Sequence, residues 1–153
     1  MNMRRQHVYI LLPLLFLAGS SVYSHYVFTD DHRTFHQRVF RVSEILSPLD
    51  LRIDDRDHTI VHLAGLETAS QEYLSDHVLN QNIRLYLPPL RTRDNKNRLL
   101  AYIYLSDTKC VQRDMISSGL ANPTGEPHLL ASPFHSDLLK ARRKHLGIWK
   151  KNY

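Results

Sequence analysis

The sequence contains a single cysteine, Cys110, among its 153 residues. One cysteine excludes an internal disulfide and also a zinc site built on cysteine ligands. The residues around it, SDTKCVQRD, are polar and carry no feature of a catalytic nucleophile. We therefore interpret Cys110 as an ordinary residue at the start of a helix.

Charged residues are absent from Val8 to Thr29, and Arg4 and Arg5 precede this stretch. The pattern predicts a signal-anchor or transmembrane segment over residues 1–29, with membrane contact through residues 8–28 and a polar linker at 30–37. Arginines before the apolar run and acids behind it predict a single-pass protein whose domain lies on the non-cytoplasmic side. The alternative is a secreted or periplasmic protein, cleaved near Ser24.

Acidic residues are also absent from residues 138–153, the later part of the last helix and the tail, which are instead basic. A basic surface can attract the phosphates of nucleic acid or anionic lipid. Cations near the C-terminal end of a solvated helix are also favoured by the helix dipole, and we prefer this second interpretation. The basic residues concerned are Lys140, Arg142, Arg143, Lys144, Lys150 and Lys151.

Hydrophobic periodicity predicts one α+β domain over residues 38–150. Strands are predicted at 38–46, 49–53, 58–66, 82–87 and 99–105. One helix begins after Ser70, a second carries Val111 and Met115 at helical spacing, and the last begins near Ser132 and Pro133. Five short strands with a helix inserted after the third indicate a small closed barrel of the oligonucleotide-binding (OB) type.

Four stretches, in order, resemble motifs of the staphylococcal nuclease (thermonuclease, TNase-like or SNase-like) family. They are VHLAGLETAS (61–70), NRLLAYIYL (97–105), MISSGLA (115–121) and LLKARRKHLGIW (138–149). Order and spacing agree from about residue 38 to residue 149. The resemblance implies an OB-fold barrel of five strands with three helices.

The resemblance also implies a chemistry, because this family cuts nucleic-acid phosphodiester bonds with calcium. In the family two aspartates hold the metal, a glutamate takes a proton from water, and two arginines bind the phosphate. Arg98 falls on the second arginine, and His62 falls on the first. Glu67 falls on one calcium aspartate, with its carboxylate displaced by about 1.5 Å, one bond length. Ser47 falls on the other aspartate, and Ser70 on the glutamate.

Only Arg98 is therefore identical to its family counterpart. Loss of a general base costs roughly 10²–10⁴-fold in rate, and a single glutamate holds calcium poorly, since the ion takes six to eight oxygen ligands. These substitutions favour a pseudoenzyme without a cofactor, inactive or strongly weakened, acting as a binding or structural module. The alternative is a metal-dependent phosphodiesterase with an altered site, in which Glu67, Glu72 and His62 regroup around calcium or another metal.

The family's concave face predicts that His62, Glu67 and Arg98 lie together, in a pocket that either binds an anion weakly or holds an internal Glu67–Arg98 ion pair. Partners are expected to be nucleic acid or protein, bound through a barrel face or the basic last helix. Tyr102 and Tyr104 alternate on one strand face, which suits either base stacking or packing between strands.

Overall fold

A computed structural model describes residues 30–150. Besides the helical residues 30–35, this part of the chain forms eight strands, three further α-helices and a short 3₁₀ helix at Gly147–Trp149. In chain order the elements are β1 (Val39–Ser47), β2 (Asp50–Ile53), β3 (Ile60–Leu63), β4 (Leu66–Ala69), α1 (Gln71–His77), β5 (Asn82–Tyr86), β6 (Leu99–Ser106), β7 (Lys109–Cys110), α2 (Val111–Ser117), β8 (Ala121–Pro123) and α3 (Ala131–Arg143).

Five of the strands close into a barrel. The sheet runs in the order β3-β2-β1-β5-β6-β7, and β3 also pairs in parallel with β6, which joins the two sides. Closure of this kind removes the exposed edges of a sheet. The predicted α+β class and the five-stranded OB barrel are confirmed.

Alternation along β2 and β3 decides which side chains enter the barrel. Leu51, Ile53, Val61 and Leu63 are fully buried in the core. Successive residues of a strand point to opposite faces, so the residues between them lie on the outside. The register pairs Asp50 of β2 directly with His62 of β3, which places two polar side chains side by side on that outer face.

The strand predicted over 58–66 is shorter in the structure and is followed by a second strand. β3 ends at Leu63, Gly65 turns the chain with φ of +79°, and β4 then pairs with β8. A side chain at Gly65 would meet the ring of His128 at 2.7 Å, so both the backbone conformation and the lack of space require glycine. Pairing with residues 121–123 is long-range, and local periodicity carries no signal for it.

Residues 30–35, predicted as part of a linker, are helical and packed against the barrel. Phe35 lies in the core, and Asp31 is only 9% exposed because it pairs with Arg93 and Thr92. The linker prediction is therefore wrong for this segment, since an apolar ring and a buried ion pair fix it in place. The predicted membrane segment, 1–29, lies outside the described residues. Between residues 30 and 150 no helix has the length and apolar character needed to cross a bilayer.

Candidate functional site

A pocket of about 530 Å³ lies where β2, β3 and β4 meet the start of β6; we call it the polar pocket because six of its nine lining residues are polar or charged. It brings together the predicted site residues His62, Glu67 and Arg98, together with Ser47. It also contains Asp50, which the sequence comparison with the family did not identify. His62, Glu67 and Arg98 therefore line one pocket, as predicted, and Asp50 adds a carboxylate that was not predicted there.

Asp50 is the centre of this pocket. Its Oδ1 lies 2.7 Å from His62 Nδ1, and Arg98 Nη1 donates to both carboxylate oxygens at 2.8 and 2.9 Å. Ser47 Oγ donates to Oδ2 at 2.8 Å. Burial alone would raise the pKa of Asp50, but the hydrogen bonds from His62 and Ser47 and the nearby positive charges outweigh it and hold the pKa below its usual value. Asp50 is therefore ionised at neutral pH.

Arg98 bridges two carboxylates. Its Nε donates to Asp94 Oδ2 at 2.7 Å, its Nη2 lies 2.6 Å from the same oxygen, and its Nη1 reaches Asp50. The expected ion pair with Glu67 is wrong, because Arg98 is already engaged by these two aspartates. Glu67 instead accepts a hydrogen bond from Asn122 Nδ2 at 3.2 Å, on the exposed side of the β4–β8 pair.

The two serines that replace family acids have structural partners. Ser70 caps α1 by accepting a hydrogen bond from the Tyr73 backbone N–H at 3.2 Å. Ser47 holds Asp50 and also accepts from the Leu49 backbone N–H. Neither position supplies a carboxylate, and Glu72 is exposed within α1.

The donor set does not fit calcium. In residues 30–150 no three His, Cys, Asp or Glu side chains are grouped so that they could hold a metal ion. Asp50 already accepts from Arg98 and Ser47 and contacts His62, while Glu67 is bonded to Asn122. Calcium takes six to eight oxygen ligands, so these two acids are too few, and both already have hydrogen-bond partners.

A second cavity, a groove of about 610 Å³, adjoins the polar pocket. His62 lines both cavities, and exposed Arg91 lies on the wall of the groove. Most of the other groove side chains are apolar or aromatic: Ala64, Leu66, Pro88, Pro89, Leu90, Leu100, Tyr102, Pro127 and Leu129. This mixture suits a flat, weakly polar ligand group beside an anionic one.

Tyr102 and Tyr104, the two candidates for base stacking, pack mainly against other side chains of the protein. Tyr102 is fully buried, and its hydroxyl lies 3.1 Å from His128 Nδ1. Tyr104 packs on Tyr86 with ring centroids 4.8 Å apart, as an interstrand pair. Stacking of bases on Tyr102 is therefore excluded by its burial.

The basic residues of the last helix are exposed. Lys140, Arg143 and Lys144 make no ion pair within residues 30–150, and Arg142 covers the Trp149 ring at 4.2 Å. Lys151 lies outside the described residues. This surface is far from the pocket in sequence and shares no lining residue with it.

Residues 63–151 match the family model described as staphylococcal nuclease homologue. That match covers more than half of the 153 residues. The chain belongs to the staphylococcal nuclease family. No curated protein sequence matches it closely enough to serve as a relative.

The family match begins at residue 63 and therefore assigns no role to Asp50. The motif comparison placed Ser47 at the family's missing aspartate, yet the structure puts the Asp50 carboxylate in the pocket beside Arg98. One signal was available: alternation of Leu49, Leu51 and Ile53 places Asp50 on the outer face, where His62 also lies.

Proposed function

We propose that this chain is a nuclease homologue that binds single-stranded nucleic acid and does not cut it with calcium. The observation that carries the proposal is the state of Asp50. This carboxylate is paired with Arg98 and His62 inside the pocket, so the group best placed to hold a metal is neutralised by the chain's own side chains.

Binding is supported by the continuity of the two cavities. A base fits the apolar groove, and a neighbouring phosphate reaches Arg98 in the polar pocket or exposed Arg91 on the groove wall. Because Asp50 and Asp94 compete for Arg98, phosphate gains less there than at a free arginine. We therefore expect weak binding that falls steeply with salt.

Loss of calcium-dependent hydrolysis is supported by the position of the family's glutamate base. Ser70 stands there, and its hydroxyl is used as the cap of α1. A hydroxyl cannot take a proton from water at neutral pH, so that step loses its acceptor.

A second candidate is a metal-dependent phosphodiesterase with an altered site. The specific observation in its favour is that Asp50 and Glu67 line one pocket with Arg98. A metal able to displace Arg98 from Asp50 would gain two carboxylate ligands there.

The two candidates separate in one set of assays on the full chain. Binding of short single-stranded DNA and RNA is measured by fluorescence anisotropy, and hydrolysis is measured with calcium, magnesium or manganese. We expect binding without calcium-dependent cutting, and weaker binding by Arg98→Ala. Arg56→Ala, a change at an exposed site outside both cavities, is the matched control.

Calcium-dependent cutting that disappears in Arg98→Ala and persists in Arg56→Ala would replace the first candidate with the second. If neither nucleic acid binds at low salt, both candidates fail.

We also propose that the chain is anchored in a membrane or exported, on the support of the uncharged stretch from Val8 to Thr29. Extraction of cell membranes with alkaline carbonate distinguishes the two: an anchored chain stays with the membranes, and an exported one is found free and shortened near Ser24.

A further inference from the structure

We infer that His62, held by Asp50, acts as the general base in a metal-independent cleavage of RNA. In this step the nucleophile is the 2′-hydroxyl of the substrate rather than water. The inference rests on the proposed nucleic-acid binding and adds a reaction to it.

The first support is the geometry of the Asp50–His62 pair. Asp50 is ionised, and an ionised carboxylate only accepts hydrogen bonds, so the proton at their 2.7 Å contact belongs to His62 Nδ1. In the neutral ring this leaves Nε2 as a proton acceptor. Aspartate-held imidazoles of this kind are the general bases of many hydrolases.

The second support is that the pair is rigid yet accessible. Ser47 and Arg98 fix the Asp50 carboxylate from two further directions, and backbone pairing of β2 with β3 fixes the two Cα atoms. The side chains of His62 and Asp50 remain 19% and 17% exposed. A purely structural pair would not need to face a cavity on either side, whereas His62 lines both the pocket and the groove.

The third support is the position of His62 between the two cavities. A nucleotide with its base in the groove and its phosphate near Arg98 must place its ribose between them, beside His62. Its 2′-hydroxyl is then near the imidazole, and its phosphate is near a guanidinium that can stabilise added negative charge.

The reaction balances without a metal or a cofactor. His62 Nε2 takes the proton of the 2′-hydroxyl, the 2′-oxygen forms a bond to phosphorus, and the bond from phosphorus to the 5′-oxygen breaks. The leaving 5′-oxygen takes a proton from water, and the imidazolium returns its proton to the resulting hydroxide. The products are a 2′,3′-cyclic phosphate and a 5′-hydroxyl. Since the nucleophile is already part of the substrate, no ion is needed to position a water.

The test uses the full chain, EDTA, and three single-stranded oligonucleotides of one sequence: all RNA, all DNA, and DNA with one ribonucleotide. We expect cleavage of the RNA, no cleavage of the DNA, and a single cut after the ribonucleotide, leaving a 2′,3′-cyclic phosphate. His62→Ala should lower the rate by about 10²-fold or more. His135→Ala, at an exposed histidine outside both cavities, should leave it unchanged.

Two further readouts separate catalysis from a loss of folding. Free imidazole should restore part of the cleavage by His62→Ala, because it supplies the missing base. Asp50→Asn should lower kcat by about 10²-fold or more while lowering the Kd for RNA, because Asp50 is a positioning residue whose negative charge also opposes phosphate. A structural role alone would weaken binding and cleavage together.

Each result decides the matter. RNA that is bound but not cut in EDTA overturns this inference and leaves the proposed function intact. Absence of binding overturns both. Cutting that His62→Ala retains, or that needs a metal, assigns the activity to other groups or to a contaminant and overturns the inference.

Discussion

Two aspartate–arginine pairs are built on the same loop between β5 and β6, and they differ in what surrounds them. Asp31 receives three hydrogen bonds from Arg93, at 2.7, 3.0 and 3.2 Å, and a fourth from Thr92 at 2.6 Å. Asp50 receives bonds from Arg98 and Ser47 and contacts His62. The first pair ties the helical residues 30–35 to the loop, whereas the second joins β2 to the start of β6 beside an imidazole; each pair borders a cavity, of about 500 Å³ and 530 Å³.

The comparison shows that an ion pair does not define a functional site by its chemistry alone. Asp31 accepts its hydrogen bonds from Arg93 and Thr92, two side chains of the loop between β5 and β6. The Asp50 pair is joined by an imidazole whose second nitrogen remains for a ligand. Both pairs border a cavity, so the imidazole bonded to Asp50, rather than a cavity beside the pair, separates the two roles.

The largest effect is expected from Asp31→Ala. Removing one partner of a mostly buried pair leaves Arg93 without its counter-charge, and we expect a loss of about 3 kcal/mol in the free energy of unfolding. Urea unfolding followed by circular dichroism measures it. Asp30→Ala, at the exposed neighbouring position, is the control and should change little. A loss below about 1 kcal/mol would mean that residues 30–35 contribute little to the domain.

The Asp31–Arg93 pair should also make the stability of the domain depend on pH in the acid range. Burial by itself would raise the pKa of Asp31, but hydrogen bonds from Arg93 and Thr92 hold it below the usual value. A depressed folded-state pKa contributes stability that is present above the unfolded value, about 3.9, and is lost as the pH falls through the folded one. Unfolding free energy should therefore drop below about pH 4, less steeply in Asp31→Asn than in the unchanged chain. Equal slopes from pH 5 to pH 3 would contradict the assignment.

Most of the barrel follows from local sequence pattern. Leu51 and Ile53 alternate with polar residues, and Ile83 and Leu85 do the same, so the strands and their inner faces were predictable. Ser70 was predicted as a helix cap and is one. These features depend on neighbours within a few residues of the chain.

The features that were missed depend on distant residues. Asp31 meets Arg93 across 62 positions, and Asp50 meets Arg98 across 48. Asp50 was overlooked because the motif comparison placed Ser47, three residues earlier, at the family aspartate. An ion pair between Glu67 and Arg98 was one expectation. Pairing of β4 with β8 instead brings Glu67 within hydrogen-bond distance of Asn122. Strand register, which a single sequence specifies weakly, decided each outcome.

A smaller effect is expected from Ser70→Ala, which tests whether this family position has become purely structural. Loss of the cap of α1 should lower the free energy of unfolding by about 1 kcal/mol. Nucleic-acid binding and any cleavage should not change. Ser75→Ala, within the same helix, removes a hydroxyl bonded only to the Gln71 carbonyl and serves as the control. If Ser70→Ala lowers cleavage without lowering stability, Ser70 has a role in the site and is not purely structural.

The smallest effect on stability is expected from Asp50→Asn. This variant tests most directly whether the Asp50–Arg98 pair differs from the Asp31–Arg93 pair. Arg98 keeps its two contacts with Asp94 in this variant, and His62 can remain neutral, so no buried charge is left without a partner. We expect the free energy of unfolding to change by less than about 1 kcal/mol, measured by urea unfolding beside Asp31→Asn. If the two variants lose equal stability, the Asp50 pair is as structural as the Asp31 pair and the pocket loses its distinction. If Asp50→Asn is nearly neutral, the fold does not require that carboxylate, and its place beside His62 and Arg98 has to be explained by what the pocket binds.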